Sequence, residues 1–151
     1  MAKNEWQTEA RARLREYRRL KRDCERLRHK IQDKRQDMNY IKAVVTDGVA
    51  VNNGDIANHV ERAIELMDGL ICRYTALICE REQAEHRLLD LLQTVKNEDG
   101  RRVLYLRYME DKEFMDIAEE LHLSERTLFY RSKQAIDDIC SFLKEQAASS
   151  E

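Results

Sequence analysis

Residues 107–136, RYMEDKEFMDIAEELHLSERTLFYRSKQAI, decide the fold predicted for this chain. Their apolar and small residues fit a helix, a tight turn and a second helix. Ala118 lets two helices approach closely, His122 falls at the turn, and Leu128 lies on the second helix. This spacing is typical of the helix-turn-helix, whose second helix enters the major groove of DNA. The predicted core of the motif consists of Ile117, Ala118, Leu121, Leu123 and Leu128.

The second helix of the motif, which Ser124 is expected to cap, has two chemically different sides. The side expected to be buried carries residues within about 40° of one line: Leu128, Ser132, Ala135, Ile139 and Phe142. Arg126, Tyr130 and Lys133 project from the opposite side. Cations suit phosphate or guanine, and a tyrosine ring suits sugar, phosphate or a thymine methyl group. Three such residues alone would indicate a solvated surface, but the motif spacing favours contact with double-stranded DNA.

Four further residues of this helix complete the candidate DNA-binding set. Glu125 is placed to accept a hydrogen bond from cytosine. Thr127 and Phe129 lie on the flanks of the outward side. Arg131 points nearer the core edge, where a structural or phosphate-facing role suits it better than base reading.

The composition predicts an all-α, soluble and cytoplasmic protein. The 151 residues include no proline and four glycines, and 37% of them are charged. The longest apolar run, LICRYTALIC, is short and carries Arg73, so neither a spanning helix nor a signal peptide is expected. The four cysteines have no CxxC spacing and occupy apolar helical positions, which predicts reduced core thiols: Cys24, Cys72, Cys79 and Cys140.

Two long helices are predicted ahead of the motif, paired as an antiparallel, coiled-coil-like hairpin. A seven-residue repeat covers residues 6–45, and a broader stripe, which requires more than one neighbour, covers residues 56–95. The turn pairs Asp47-Gly48 and Asn53-Gly54 separate them. The repeat positions are Ala10, Tyr17, Cys24, Ile31, Met38 and Val45 with Trp6, Leu20, Leu27 and Ile41, and the second stripe is widened by Ile64, Ile71, Ile78 and Leu92.

The predicted organisation has three parts. Residues 1–96 form the hairpin, for oligomerisation or partner docking, and residues 97–146 form the DNA-binding domain. That domain has a helix from about 98 to 110, a next helix whose apolar side consists of Phe114, Ile117, Ala118 and Leu121, and a last helix, capped by Ser124, that runs to about Gln146. Residues 147–151 are a tail.

The charge is unevenly distributed along the chain. Residues 1–43 carry 14 Lys and Arg against 7 Asp and Glu, a net charge of +7. Residues 44–100 carry −6 and residues 101–151 carry −3, from 5 against 11 and 8 against 11. Because non-specific DNA affinity comes mostly from neutralised phosphates, the acidic C-terminal part needs a dimer or a protein partner to add affinity. Contact of the basic first helix with nucleic acid is an alternative.

The sequence contains no pattern that predicts catalysis. His29, His59, His86 and His122 lack HExxH spacing, and no glycine-rich phosphate loop occurs. We therefore expect no catalytic residue, no cofactor and no metal site.

The stretch YLRYMEDKEFMDIAEELHLSERTLFYRSKQAI resembles region 4 of sigma-70-type RNA polymerase factors. It is more closely similar to the short phage-encoded late-transcription activators of the RinA/ArpU type, over about residues 97–143. The resemblance implies promoter or operator binding at the bacterial nucleoid, with activation by contact to RNA polymerase. It also implies that Arg126, Thr127, Tyr130 and Lys133 face DNA, whereas Asp111 and His122 stand where the family often has glycine.

Two other functions fit the same pattern. A phage small terminase subunit also joins a helix-turn-helix to helical oligomerisation segments, and it would assemble as a closed ring rather than as the homodimer expected of a hairpin regulator. A coiled-coil adaptor whose C-terminal domain binds only protein would bind no DNA at low salt.

Overall fold

The structure, a computed structural model, describes residues 2–46 and 53–150. Within these ranges the secondary structure is entirely helical, which confirms the all-α prediction. No helix in these ranges has an apolar stretch that would cross a membrane. The elements are α1 (Lys3–Thr46), α2 (Asn53–Gln93), α3 (Glu98–Leu104), a π-helical segment (Tyr105–Met109), α4 (Phe114–Leu121) and α5 (Glu125–Ser149).

Two predicted boundaries are wrong. Helix α2 begins at Asn53 rather than Ile56, so the predicted turn pair Asn53-Gly54 lies in its first turn, while Asp47-Gly48 falls outside the described residues. Helix α5 continues to Ser149, so residues 147–149 are helical rather than part of a tail. Ala147 and Ala148 favour helix there, and the Ser149 hydroxyl donates to the Glu145 carbonyl at 2.7 Å.

The predicted helix from 98 to 110 changes type after Leu104. Asn97 caps α3 by accepting a hydrogen bond from the Gly100 N–H at 3.1 Å, and the π-helical segment follows. The Glu110 N–H donates to the Tyr105 carbonyl at 3.3 Å, which is the five-residue spacing of a π-helix. Leu104 and Met109 are both buried. In a π-helix, residues five apart lie closer to one side than they do in an α-helix. The buried pair Leu104 and Met109 therefore fits a π-helical turn better than a continued α-helix.

The chain divides into two compact units that cut across the long helices. The first unit combines Met1–Leu20 with Arg81–Glu151, and the second unit consists of Lys21–Glu80. The predicted domain boundary between residues 96 and 97 lies inside the first unit.

In the first unit, the start of α1 shares a core with the C-terminal helices. Leu14 is fully buried although it lies outside the predicted seven-residue repeat. Polar contacts show that this part of α1 has neighbours on several sides. A helix with several neighbours buries a wider apolar surface than a helix in a two-helix seam. These contacts are Gln7 Nε2 to Asp137 Oδ1 at 3.4 Å, Arg87 Nη2 to Glu16 Oε1 at 3.0 Å and Arg18 Nη1 to Asp111 Oδ1 at 3.2 Å.

In the second unit, apolar residues of α1 and α2 form one cluster. Its buried members are Leu27, Ile31 and Met67, and Met38, Leu70, Tyr74 and Leu77 pack against them half-buried. Another part of the predicted stripe is uncovered, because Ile64 is 45% exposed and Ile71 is 38% exposed.

The prediction of core thiols is correct for Cys24 and Cys140 and wrong for Cys72 and Cys79. The latter two are exposed on α2, beside the uncovered isoleucines, because the stripe on that helix is wider than one neighbour covers. Burial raises the pKa of the Cys140 thiol, and the nearby Asp137 carboxylate adds to the rise.

Gly100 lies at the closest approach of α3 to α5. A Cβ added there would lie 3.2 Å from the Ala135 Cβ and 3.2 Å from the Arg131 carbonyl oxygen. The backbone of α5 cannot move away without disturbing the buried side of that helix. A side chain at Gly100 would therefore crowd α5, so packing favours glycine at this position.

We predict that Gly100→Ala lowers the free energy of unfolding by about 1–3 kcal/mol, because an added methyl group overpacks the contact with α5. The matched control is Gly69→Ala. Gly69 lies in α2 with nothing within 4 Å of its added Cβ, so this substitution should raise the free energy of unfolding by about 0.5–1 kcal/mol. Urea unfolding followed by circular dichroism measures both. Equal effects of the two substitutions would contradict the close approach at Gly100.

Candidate nucleic-acid interface

The turn between α4 and α5 depends on a left-handed residue. His122 has φ 54° and ψ 40°, as the sequence position at the turn led us to expect. The His122 N–H donates to the Glu119 carbonyl at 3.3 Å, and the Leu123 N–H donates to the Ala118 carbonyl at 3.0 Å. Helices commonly end in this way, usually with glycine as the left-handed residue.

Asp111 is the other non-glycine residue with positive φ in the described part of the chain, at 60°. The Arg18 guanidinium holds its carboxylate at 3.2 Å. Glycine adopts this backbone conformation most readily, so both turns contain a residue that bears the steric cost of a side chain.

A single apolar cluster joins α4 to α5. All five residues predicted for the motif core belong to it, with two residues from α3 and the π-helical segment. Its buried members are Val103, Leu106, Ile117, Ala118 and Leu128, and Leu121 and Leu123 pack against them partly buried.

The start of α5 is capped as predicted. The Ser124 hydroxyl oxygen accepts a hydrogen bond from the Thr127 N–H at 3.2 Å and donates to the Thr127 Oγ1 at 2.8 Å. Thr127 is half-buried, so its hydroxyl belongs to the cap. Among the candidate DNA-binding residues, Thr127 is therefore the one whose polar atom already has a partner within the turn.

The opposite side of α5 is exposed. Glu125, Arg126 and Lys133 are exposed, and Tyr130 and Phe129 have 56% and 68% of their surfaces exposed. The Tyr130 hydroxyl oxygen accepts a hydrogen bond from Gln134 Nε2 at 3.0 Å. The side predicted to be buried contains Leu128, Ser132, Ala135 and Ile139, all buried, whereas Phe142 is half-buried and Leu143 takes the core position.

Arg131 lies away from this exposed side. It is half-buried, and its Nε is enclosed without a hydrogen-bond partner in the structure. Its backbone carbonyl faces Gly100 of α3. Of the two roles predicted for Arg131, the structural one suits this position better than base reading.

The loop before α4 carries a local charge network. The Lys112 ammonium bridges the carboxylates of Glu120 and Glu110, the latter at 3.4 Å. The hydrogen bond that Lys112 Nζ donates to the Glu120 carboxylate is the main reason that the pKa of Lys112 is raised. Two acidic residues, Glu110 before α4 and Glu120 within it, are thereby paired with Lys112.

A groove beside α5 contains residues that the sequence interpretation did not select. The groove, of about 430 Å³, is lined by cations and aromatic rings from four elements: α1, the π-helical segment, α4 and α5. The net charge of +7 on residues 1–43 was the sequence signal that could have indicated Arg11 and Arg15. These are the two α1 cations that line the groove. Its cationic and aromatic residues are Arg11, Arg15, Arg107, Tyr108, Phe114, Phe129 and Lys133, of which Phe129 and Lys133 already belong to the candidate DNA-binding set. We call this feature the side groove.

Comparison with protein-family models, with characterised proteins and with solved structures finds no match to this chain. The resemblance to sigma region 4 and to RinA/ArpU-type activators therefore stays a prediction, carried by the residues quoted for it.

We predict that His122→Gly raises the free energy of unfolding by about 0.5–1 kcal/mol, because glycine adopts the left-handed conformation without the steric cost of a side chain. His122→Val should instead lower it, because a β-branched residue is poorly tolerated at positive φ. Thermal and urea unfolding of both variants measure the difference. A His122→Val variant as stable as the parent would show that the turn does not depend on this conformation.

Proposed function

We propose that this chain is a sequence-specific DNA-binding transcriptional regulator that places α5 in the major groove. The observation that supports it is the two-sided character of α5. Leu128, Ala135 and Ile139 are buried, whereas Arg126, Tyr130 and Lys133 are exposed along the other side. In a helix-turn-helix, the second helix is packed on one side in this way and presents its other side to the major groove.

Each exposed residue suits a particular contact with duplex DNA. Arg126, in the first turn of α5, is placed to donate to the O6 and N7 atoms of guanine. Lys133 lies two turns further along, where a phosphate contact suits an ammonium group. The uncovered ring of Phe129 suits the thymine methyl group, and Glu125 suits the cytosine amino group.

The regulatory step we propose is activation of phage or prophage genes by contact with RNA polymerase. This part rests on the resemblance to sigma region 4 and to phage late-transcription activators. It also agrees with the net charge of −3 on residues 101–151, since weak attachment to phosphates suits a protein that binds DNA together with a partner.

We predict that Arg126→Ala and Lys133→Ala each weaken duplex binding and each reduce the slope of log K against log salt by about 1, because each removes a cation that displaces a counterion. Fluorescence anisotropy on a labelled promoter fragment, titrated at several salt concentrations, gives both quantities. Lys144→Ala is the control, because Lys144 is also exposed on α5 but lies near its far end. Affinity and slope equal to the parent in both variants would reject this face.

A homodimer through the long helices is the second element of the proposal. Ile64 and Ile71 recur at a seven-residue spacing on α2 and stay partly exposed, with Ile78 half-buried in the same series. An apolar row with this spacing is typical of a helix that packs against another helix. A second copy of the chain supplies the same row.

We predict that Ile64→Glu combined with Ile71→Glu converts the dimer to a monomer, because four like charges would meet along one seam. Leu66→Glu is the control, since Leu66 is 60% exposed on the same helix but lies on a different side. Light scattering of the parent and both variants gives the masses. A parent that is monomeric would contradict the dimer, and a closed ring of many copies would favour the small terminase function.

A further inference from the structure

The side groove places cations from α1 beside the exposed side of α5. Arg11 and Arg15 come from α1, Arg107 from the π-helical segment and Lys133 from α5. All of these residues belong to the first unit. We propose that the side groove binds the phosphodiester backbone of the DNA that α5 reads, and that α1 is therefore part of the DNA-binding surface. This inference rests on the function proposed above.

The cations of the groove are available to an external anion. Arg11, Arg15 and Lys133 are exposed and form no salt bridge with any residue in the described ranges. One carboxylate lines the groove, that of Asp137, and it accepts a hydrogen bond from Gln7 Nε2 at 3.4 Å. Four cations against one carboxylate give the groove a positive potential, although residues 101–151 are acidic as a whole.

Arg107 is held in place before any ligand binds. Its Nη1 donates to the Lys112 carbonyl at 3.2 Å, and its guanidinium lies 4.9 Å from the centre of the Phe114 ring. A stacked guanidinium keeps other N–H groups free to donate to phosphate. Arg107 therefore loses less side-chain conformational entropy when it binds a phosphate than a free arginine side chain would lose.

The spacing of the cations favours a polyanion over a single small anion. Arg11 and Arg15 are one helical turn apart, about 6 Å along α1. A DNA strand carries one phosphate per 3.4 Å of helix axis, so cations about 6 Å apart span about two phosphate steps and can contact different phosphates of one strand. Phe129 and Lys133 line the groove and also belong to the exposed part of α5, so the groove and the base-reading side are continuous.

The inference also explains a charge problem. The C-terminal residues that carry the motif have a net charge of −3, whereas residues 1–20, which belong to the same compact unit, carry 6 Lys and Arg against 3 Asp and Glu, a net charge of +3. Phosphate contacts that the acidic part lacks are supplied by the start of α1.

The test uses the full chain with two charge-matched double variants. Arg11→Gln with Arg15→Gln removes two groove cations, and Arg13→Gln with Arg19→Gln removes two exposed cations of the same helix that do not line the groove. The first pair should reduce the slope of log K against log salt by about 2 and weaken binding equally on a promoter fragment and on a mixed-sequence duplex. The second pair should leave both quantities near the parent values. Circular dichroism melting establishes that both variants fold.

The outcomes separate this inference from the proposed function. If the parent binds duplex DNA and Arg126→Ala weakens it while the Arg11 and Arg15 variant binds with unchanged slope, the groove proposal is wrong and the regulator proposal stands. Equal losses in the two double variants would also overturn it, because the effect would then come from net charge. If the parent binds no duplex at low salt, both proposals fail.

Discussion

The close packing of α3 against α5 at Gly100 is the constraint on which the candidate site depends. The backbone of α3 approaches Ala135 and the Arg131 carbonyl so closely that a methyl group does not fit at van der Waals distance. This contact, together with the cluster around Leu128, assigns one side of α5 to the core. Arg126, Tyr130 and Lys133 lie on the opposite side of the helix from these contacts, so they are exposed. At the same contact the Arg131 carbonyl lies against α3, and the Arg131 residue is half-buried between the exposed Tyr130 and the buried Ser132.

The start of α1 and the end of α2 belong to the same compact unit as the candidate site. The buried Ala10 and Leu14 of α1 belong to the same compact unit as α5, and ion pairs such as Arg18 with Asp111 connect α1 to the turn before α4. The start of α1 therefore places Arg11 and Arg15 beside a motif whose net charge is negative. On this account, α5 supplies base contacts while α1 supplies part of the electrostatic attraction, which divides specificity from affinity between two elements.

Periodicity and turn chemistry predicted a large part of this arrangement. The all-α fold, the Ser124 cap and the buried side of α5 through Ile139 all follow from spacing and residue type. The features that were missed depend on tertiary contacts that no local pattern records. The π-helical segment follows from the burial of residues five apart, and Leu14 is buried because α1 has several neighbours there. Cys72 and Cys79 occupy positions in the apolar pattern of α2, yet they are exposed because one neighbouring helix does not cover the whole stripe. The number of neighbours cannot be derived from the pattern of a single helix.

Fragment selection is the most direct measurement of the central claim that α5 reads DNA sequence. Purified protein is mixed with a random or phage-genomic fragment library, and the retained fragments are sequenced for the parent and for Arg126→Ala. The account predicts that the parent enriches a short shared motif and that the variant loses preference at one position of it, since a base-reading arginine contributes about 1–3 kcal/mol of discrimination. Retained fragments with no shared motif, or an identical motif for parent and variant, would contradict it.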